Sequence, residues 1–386
     1  RPFSSAPRIR NEIEIFRSSY IIDGYGSESG NIFSGVGGFN NIERPNVILR
    51  RFIILIGGVF PKIRITFEKM FYRKHLEKIR SEDYRFIIPH HIADGLLAVE
   101  SGIPFLFHSH EYLPLQFDKD WLFRFTEVRY RRLALQEILQ KATLIIVEGE
   151  RVARKYSQEF RIPIDHFIVM PSMPKYHTFN DAKKTIDDTD EGEEILPMRL
   201  IHHGNIFPQR GIDLLVDIVS ALGPTYQLTL MGPGPSEYKA ALKLRASAVG
   251  NTEVRDSVPY DSIVETLNGH DLGLVIFGSH HYHSKYMAVP NKFWECLQAR
   301  VPVLVSPDSA MVEIIEKSGC GIVAESATLD GYVKAIQSLT PQDYNNMKAS
   351  CEALAWDHSR DSWINSYGER VEKVIDSYYK NNYSEN

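Results

Sequence analysis

The chain has 386 residues, of which 43% are hydrophobic, 24% charged and 11% aromatic. This globular composition excludes collagen-like, disulfide-stapled and wholly disordered classes, and the length suits two domains. The net charge of −5 lacks the basic excess of many nucleic-acid binders, so no nucleic-acid partner is expected.

Three scattered cysteines (Cys296, Cys320, Cys351) are too few for a disulfide framework or a four-cysteine zinc site and read as reduced cytosolic thiols. No signal peptide is evident, and the longest apolar run, 52–60 (FIILIGGVF), is about half what a membrane span needs. The sequence opens at Arg1 without a methionine, so the first strand of a doubly wound sheet is expected to precede it.

In chain order, the apolar runs 85–89 (RFIIP), 104–107 (PFLF) and 143–147 (TLIIV) predict strands, with a long amphipathic helix over 121–141. Net charge is +6 over 1–180, −5 over 181–194 (DAKKTIDDTDEGEE) and −6 over 195–386. The middle piece has no apolar periodicity and reads as a solvated linker. Beyond it, strand and helix alternate. Strands are predicted at 198–203, 227–231, 271–277 and 301–305, and helices at 212–222, to about 249, and at 291–299. Gly/Pro pairs punctuate the junctions, as in a parallel sheet covered by helices. The predicted organisation is α/β: a Rossmann-like domain over 1–180, the acidic linker 181–194, and a second Rossmann-like domain over 195–360. A helix within 361–386 is expected to cross back onto the first domain.

Ligands of open parallel sheets bind at the carboxyl ends of strands, where helix N-termini attract phosphate. Three junctions qualify: 204–211 (GNIFPQRG) with Arg210, 232–235 (GPGP) with Gly232 and Gly234, and 290–295 (PNKFWE). Each alone is weak, because a glycine-rich turn is more often only a turn. Together they supply cations, backbone donors and a carboxylate, the set that a nucleoside diphosphate needs.

The order G-x6-G with Arg210-Gly211, then M-G-P-G-P, P-N-K-x-x-E and A-R-V-P-V-L resembles the donor-binding half of family 4 glycosyltransferases with the GT-B fold, two Rossmann-like domains facing across a cleft. Pro7–Glu12 (PRIRNE) resembles their first helix, and 103–111 (IPFLFHSHE) the strand ending in their active-site histidine. The resemblance spans about 6–375. It implies that Gly204, Arg210, Asn291 and Lys292 bind the donor diphosphate and that Glu295 holds the ribose. Gly232, Gly234, Val258 and Pro259 would line the nucleotide, and His110 would face the donor sugar as the catalytic residue. His108, two residues earlier, reads equally as a packed strand histidine.

Two positions depart from the pattern. Met287 stands where the first glutamate of E-x7-E belongs, so the sugar contacts must differ. Asn205 replaces a second basic phosphate ligand, whose charge Lys292 would supply.

The resemblance further implies a retaining, metal-independent transferase without a cofactor. In such enzymes the donor's leaving phosphate deprotonates the acceptor, so no flanking carboxylate pair is required. Asp188-Thr189-Asp190 has the letters of a metal-dependent alternative but lacks a preceding strand. His280, His281 and His283 read as a loop facing the donor sugar rather than a metal site.

Residues 44–80 carry ten Lys/Arg against two acids, and 121–132 mixes four aromatics with four arginines. Both suit an anionic membrane surface, against the plainer reading of core plus solvated face. The expected partners are a nucleotide-sugar donor, a UDP-sugar by resemblance, and a glycan or lipid-linked acceptor. The expected location is cytoplasmic, peripheral on the inner face of the cell membrane. A sugar-nucleotide 2-epimerase of the same fold and a non-catalytic sugar-nucleotide scaffold are the alternatives.

Overall fold

A computed structural model describes residues 7–17, 19–26, 36–41, 46–179, 198–276, 286–287 and 289–383. The linker 181–194, with Asp188 and Asp190, and His280, His281 and His283 lie outside the described residues. The rest divides into two compact units: one runs to Ser172 and resumes at Ile364, and the other lies between Met173 and Trp363.

The first unit contains β1 (Ile22–Gly26), β2 (Val36–Asn41), β3 (Leu106–Ser109), β4 (Leu144–Val147) and β5 (Phe167–Val169). Strands β1 and β2 pair in parallel, and β3-β4-β5 form a parallel three-stranded sheet. Residues 85–89 do not form the predicted strand. They run extended beside β3 through a single bridge, Ile87 to Phe105, with the Leu106 and His108 amides donating to Ile87 and Pro89. The predicted helix over 121–141 is two helices, Trp121–Thr126 and Val128–Lys141. Asp120 caps the first, its carboxylate accepting from the Leu122 and Phe123 amides, and the break falls at Glu127, whose carboxylate is drawn to Arg64 and Arg131.

The basic segment is carried by helix Arg73–Ser81 and by helices Val47–Val59 and Pro61–Phe71. Gly57 lets the latter two approach: a Cβ there would lie 2.4 Å from Arg64 Cδ. Arg64 is buried, contrary to its assignment to a cationic surface. Its guanidinium donates to Glu127 at 2.7 Å and Glu68 at 3.1 Å and lies 3.6 Å over the Tyr130 ring. Burial opposes its charge, but Tyr130 and the two carboxylates push its pKa up.

The second unit contains β6 (Met198–His203), β7 (Tyr226–Met231), β8 (Thr252–Arg255), β9 (Leu272–Val275), β10 (Val303–Val305) and β11 (Gly321–Val323). All pair in parallel in the order β8-β7-β6-β9-β10-β11. Counted along the chain this is 3-2-1-4-5-6, the Rossmann order. Both sheet faces are buried. Leu200, Leu272, Leu274 and Leu304 enter one core, while Ile201, Val275, Val303 and Val305 enter the other, as the two-residue period requires. Helix Ile212–Leu222 begins after Gly211 at φ +69 and stops at Gly223 at φ +94, and it buries Ile212, Leu215, Val216, Val219 and Leu222.

The boundary between the units falls within helix Arg360–Tyr383. At its start, Asp361 accepts from the Tyr176 amide in the second unit. Further on, Tyr367, Val371 and Ile375, four residues apart, are buried in the first unit, where Glu372 meets Tyr20.

Candidate functional site

In the second unit, the strand order reverses between β6 and β9, so a crevice opens at their carboxyl ends. β6 ends in His202 and His203, both buried, and then Gly204 at φ +111. Helix Asn291–Gln298 begins after Pro290 and turns Lys292 and Glu295 to the same place. A Cβ on Gly204 would sit 3.6 Å from the Lys292 ammonium.

The Lys292 amine lies 3.2 Å from His202 Nε2, while His202 Nδ1 bonds the Leu274 carbonyl at 2.8 Å. A carbonyl only accepts, so His202 carries its proton on Nδ1, and its bare Nε2 accepts from Lys292. Burial and the adjacent lysine push the His202 pKa far down. Lys292 itself is lowered to about 8, by burial and then by the Arg210 cation. Among the described residues Lys292 makes no ion pair. Arg210 is exposed, in the single 3-10 turn Pro208–Arg210 that precedes Gly211. Two cations thus stand together at a sheet switch point, a geometry that a diphosphate would relieve.

Glu295 is 6% exposed, and its Oε2 lies 2.7 Å from His203 Nε2. Motif reasoning missed both His202 and His203; the paired histidines before Gly204 in the sequence were the available signal.

Gly232 and Gly234 have a packing role that accounts for them without a ligand. A Cβ at Gly232 would lie 1.8 Å from the Gly204 carbonyl oxygen, and one at Gly234 2.0 Å from that of Ile206. The Gly204 and Ile206 amides donate to Met231 and Pro233 at 2.9 and 2.8 Å, closing the two loops together. Val258 and Pro259 follow β8, Val258 half-buried against the core and Pro259 exposed. Met287 is buried.

The first unit holds its own polar cluster. His108 on β3 is fully buried, with Nδ1 2.5 Å from Glu12 Oε1. His90 Nε2 lies 3.0 Å from Glu12 Oε2, and His90 Nδ1 lies 2.9 Å from His110 Nε2. Burial opposes ionisation of Glu12, but His90 and His108 outweigh it and hold the carboxyl at about 2. His90 was not foreseen, although the pair His90-His91 precedes a helix in the sequence.

Residues 218–366 match the family model described as glucosyltransferase 3-like, C-terminal domain. No curated protein is similar to the chain in sequence. Among solved structures, HepE from Anabaena in complex with UDP and glucose is similar with a TM-score of 0.66 at 12% identity, over 95% of each chain. Sucrose-phosphate synthase from Thermosynechococcus elongatus gives 0.67 at 12% identity, over 96% of this chain and 93% of that one. WaaG, a glycosyltransferase involved in lipopolysaccharide biosynthesis, gives 0.59 at 13% identity, over 94% and 95%. Residues 218–366 thus match a glucosyltransferase 3-like C-terminal domain model, and the chain shares the GT-B fold of these solved glycosyltransferases.

Proposed function

We propose that the chain is a retaining, metal-independent glycosyltransferase that moves a sugar from a UDP-sugar to a glycan or lipid-linked acceptor in polysaccharide synthesis. The observation that carries this reading is the pairing of Lys292 and Arg210 at the carboxyl ends of β6 and β9, beside the helix start at Asn291. As the glycosidic bond breaks, negative charge grows on the leaving phosphate, and fixed cations and helix amides stabilise it. That phosphate then accepts the acceptor proton on the same face, so neither a metal nor a carboxylate pair is required. Glu295, oriented by His203, takes the ribose hydroxyls, and His110 faces the donor sugar. UDP with glucose in HepE, and the lipopolysaccharide role of WaaG, support the donor and product class.

The work is proposed to occur on the cytoplasmic face of an anionic membrane. On helix Val47–Val59, Ile48, Phe52, Leu55 and Val59 recur at helical spacing and are all exposed, Ile48 by 82%. Arg50, Arg51 and Lys62 are exposed nearby, as are Trp121, Leu122 and Phe125 on the helix Trp121–Thr126. An apolar stripe edged by cations suits an interfacial helix. Among the described residues no helix is long and apolar enough to cross a membrane.

The test is turnover of a panel of UDP- and GDP-sugars with a lipid-linked acceptor, followed by NMR of the product anomer. Nucleotide release with retained configuration, lost in His110→Ala, is expected. An inverted product, or absence of binding by every nucleotide, overturns the proposal; a 2-epimer formed without acceptor replaces it with the epimerase reading.

A further inference from the structure

We propose that His90, His108 and His110 form a binding site for a late first-row divalent cation such as Zn2+, with Glu12 as the carboxylate that orients two of the three ligands. Three segments distant in sequence build it: helix Pro7–Phe16, the extended stretch ending at His90, and β3 with the residue after it. One ring nitrogen from each histidine lies within 4.8 Å of the others. The ring centroids are 4.5 to 5.4 Å apart.

Protonation decides what these rings present. The Glu12 carboxylate oxygens accept, so the nitrogens facing them, His108 Nδ1 and His90 Nε2, carry protons. In neutral rings this leaves lone pairs on His108 Nε2 and His90 Nδ1. His90 Nδ1 faces His110 Nε2. Metal-binding imidazoles are commonly held in this manner, the second ring N–H donating to a carboxylate that fixes tautomer and direction. Here one buried carboxylate serves two rings.

Binding through His110 Nε2 moves the proton now shared with His90 to His110 Nδ1. A neutral cluster therefore loses no proton, and an imidazolium in it would release one. Three nitrogen ligands leave a fourth position open and select zinc, cobalt, nickel or copper over magnesium and calcium, which require oxygen. On the reading of His110 given above, on which this consequence alone rests, the cation immobilises His110 and inhibits transfer.

The untagged full-length chain, stripped of metal, is titrated with Co2+ and followed by the visible absorption of four-coordinate cobalt. One cobalt per chain is expected, displaced by Zn2+ and not by Mg2+. His90→Ala abolishes the band, and Glu12→Gln weakens binding about 10- to 100-fold. The combined His280→Ala, His281→Ala, His283→Ala variant keeps it. Absence of a band, a band that depends on residues 280–283 and survives His90→Ala, or unchanged affinity in folded Glu12→Gln overturns the proposal. Should Glu12→Gln fail to fold by circular dichroism, His90→Ala decides. This readout involves no nucleotide, so its failure leaves the proposed transfer reaction standing.

Discussion

Arg64 in the first unit and Lys292 in the second are cations whose pKa values are pushed in opposite directions. Arg64 is enclosed by Glu68, Glu127 and the Tyr130 ring, which raise its pKa. Lys292 has a neutral histidine as hydrogen-bond partner and a second cation, Arg210, nearby, and its pKa falls to about 8. A buried cation with carboxylates around it is a fixture of the fold. One that makes no ion pair among the described residues, with Glu295 only a lesser influence on it, is open to an external anion.

The sharpest way to break this contrast is Arg64→Ala. It strands Glu127 and Glu68, and urea unfolding should show a loss of about 3–5 kcal/mol, while UDP binding by the folded fraction is unchanged. Next comes removal of the exposed cations in the same basic segment. Arg50→Ala, Arg51→Ala and Lys62→Ala together should lower affinity for phosphatidylglycerol vesicles by about 3 kcal/mol, at about 1 kcal/mol per charge. Undiminished vesicle binding would remove the membrane from the proposal.

Lys292→Met should weaken UDP binding by about 1.5–3 kcal/mol, the range of a hydrogen bond to a charged group. Thermal melts without ligand at pH 7 should show no loss of stability, since a desolvated charge has been removed. The smallest effect is with pH. Because the folded-state pKa of Lys292 is depressed, the unfolded chain binds more protons between about 8 and 10.5, so this residue makes ligand-free stability rise across that window. UDP binding runs the other way, weakening as pH rises through about 8. The limit is about tenfold per unit, measured by calorimetry, and Lys292→Met should flatten it.

Sequence reading located the second unit well because its signals are local. Helix Ile212–Leu222 emerged with the boundaries that Gly211 and Gly223 impose. The strands it missed there, β8 and β11, lie at the sheet edges, where TEVR buries only Val254 and GIV is only three residues long. In the first unit, β1 and β2 were missed because IDGYG and VGGFNN are too glycine-rich to read as strands. The phosphate-side residues were found through motif order. Glu12 and His108 are separated by 96 positions, and Arg64 and Glu127 by 63, so no spacing could announce either pairing. Arg64 therefore read as one more surface charge.

The two loops that follow β6 and β7 share a seam, closed by amides from 204 and 206 and by glycines at 232 and 234 that leave no room for a methyl group. They form one mechanical part, although 20-odd residues and a helix separate them in the chain. On the proposed reading, changing the nucleotide by transplanting loops would require moving both together. A graft of 232–235 alone would lift the turn at Gly204, and with it the surface over which Lys292 reaches.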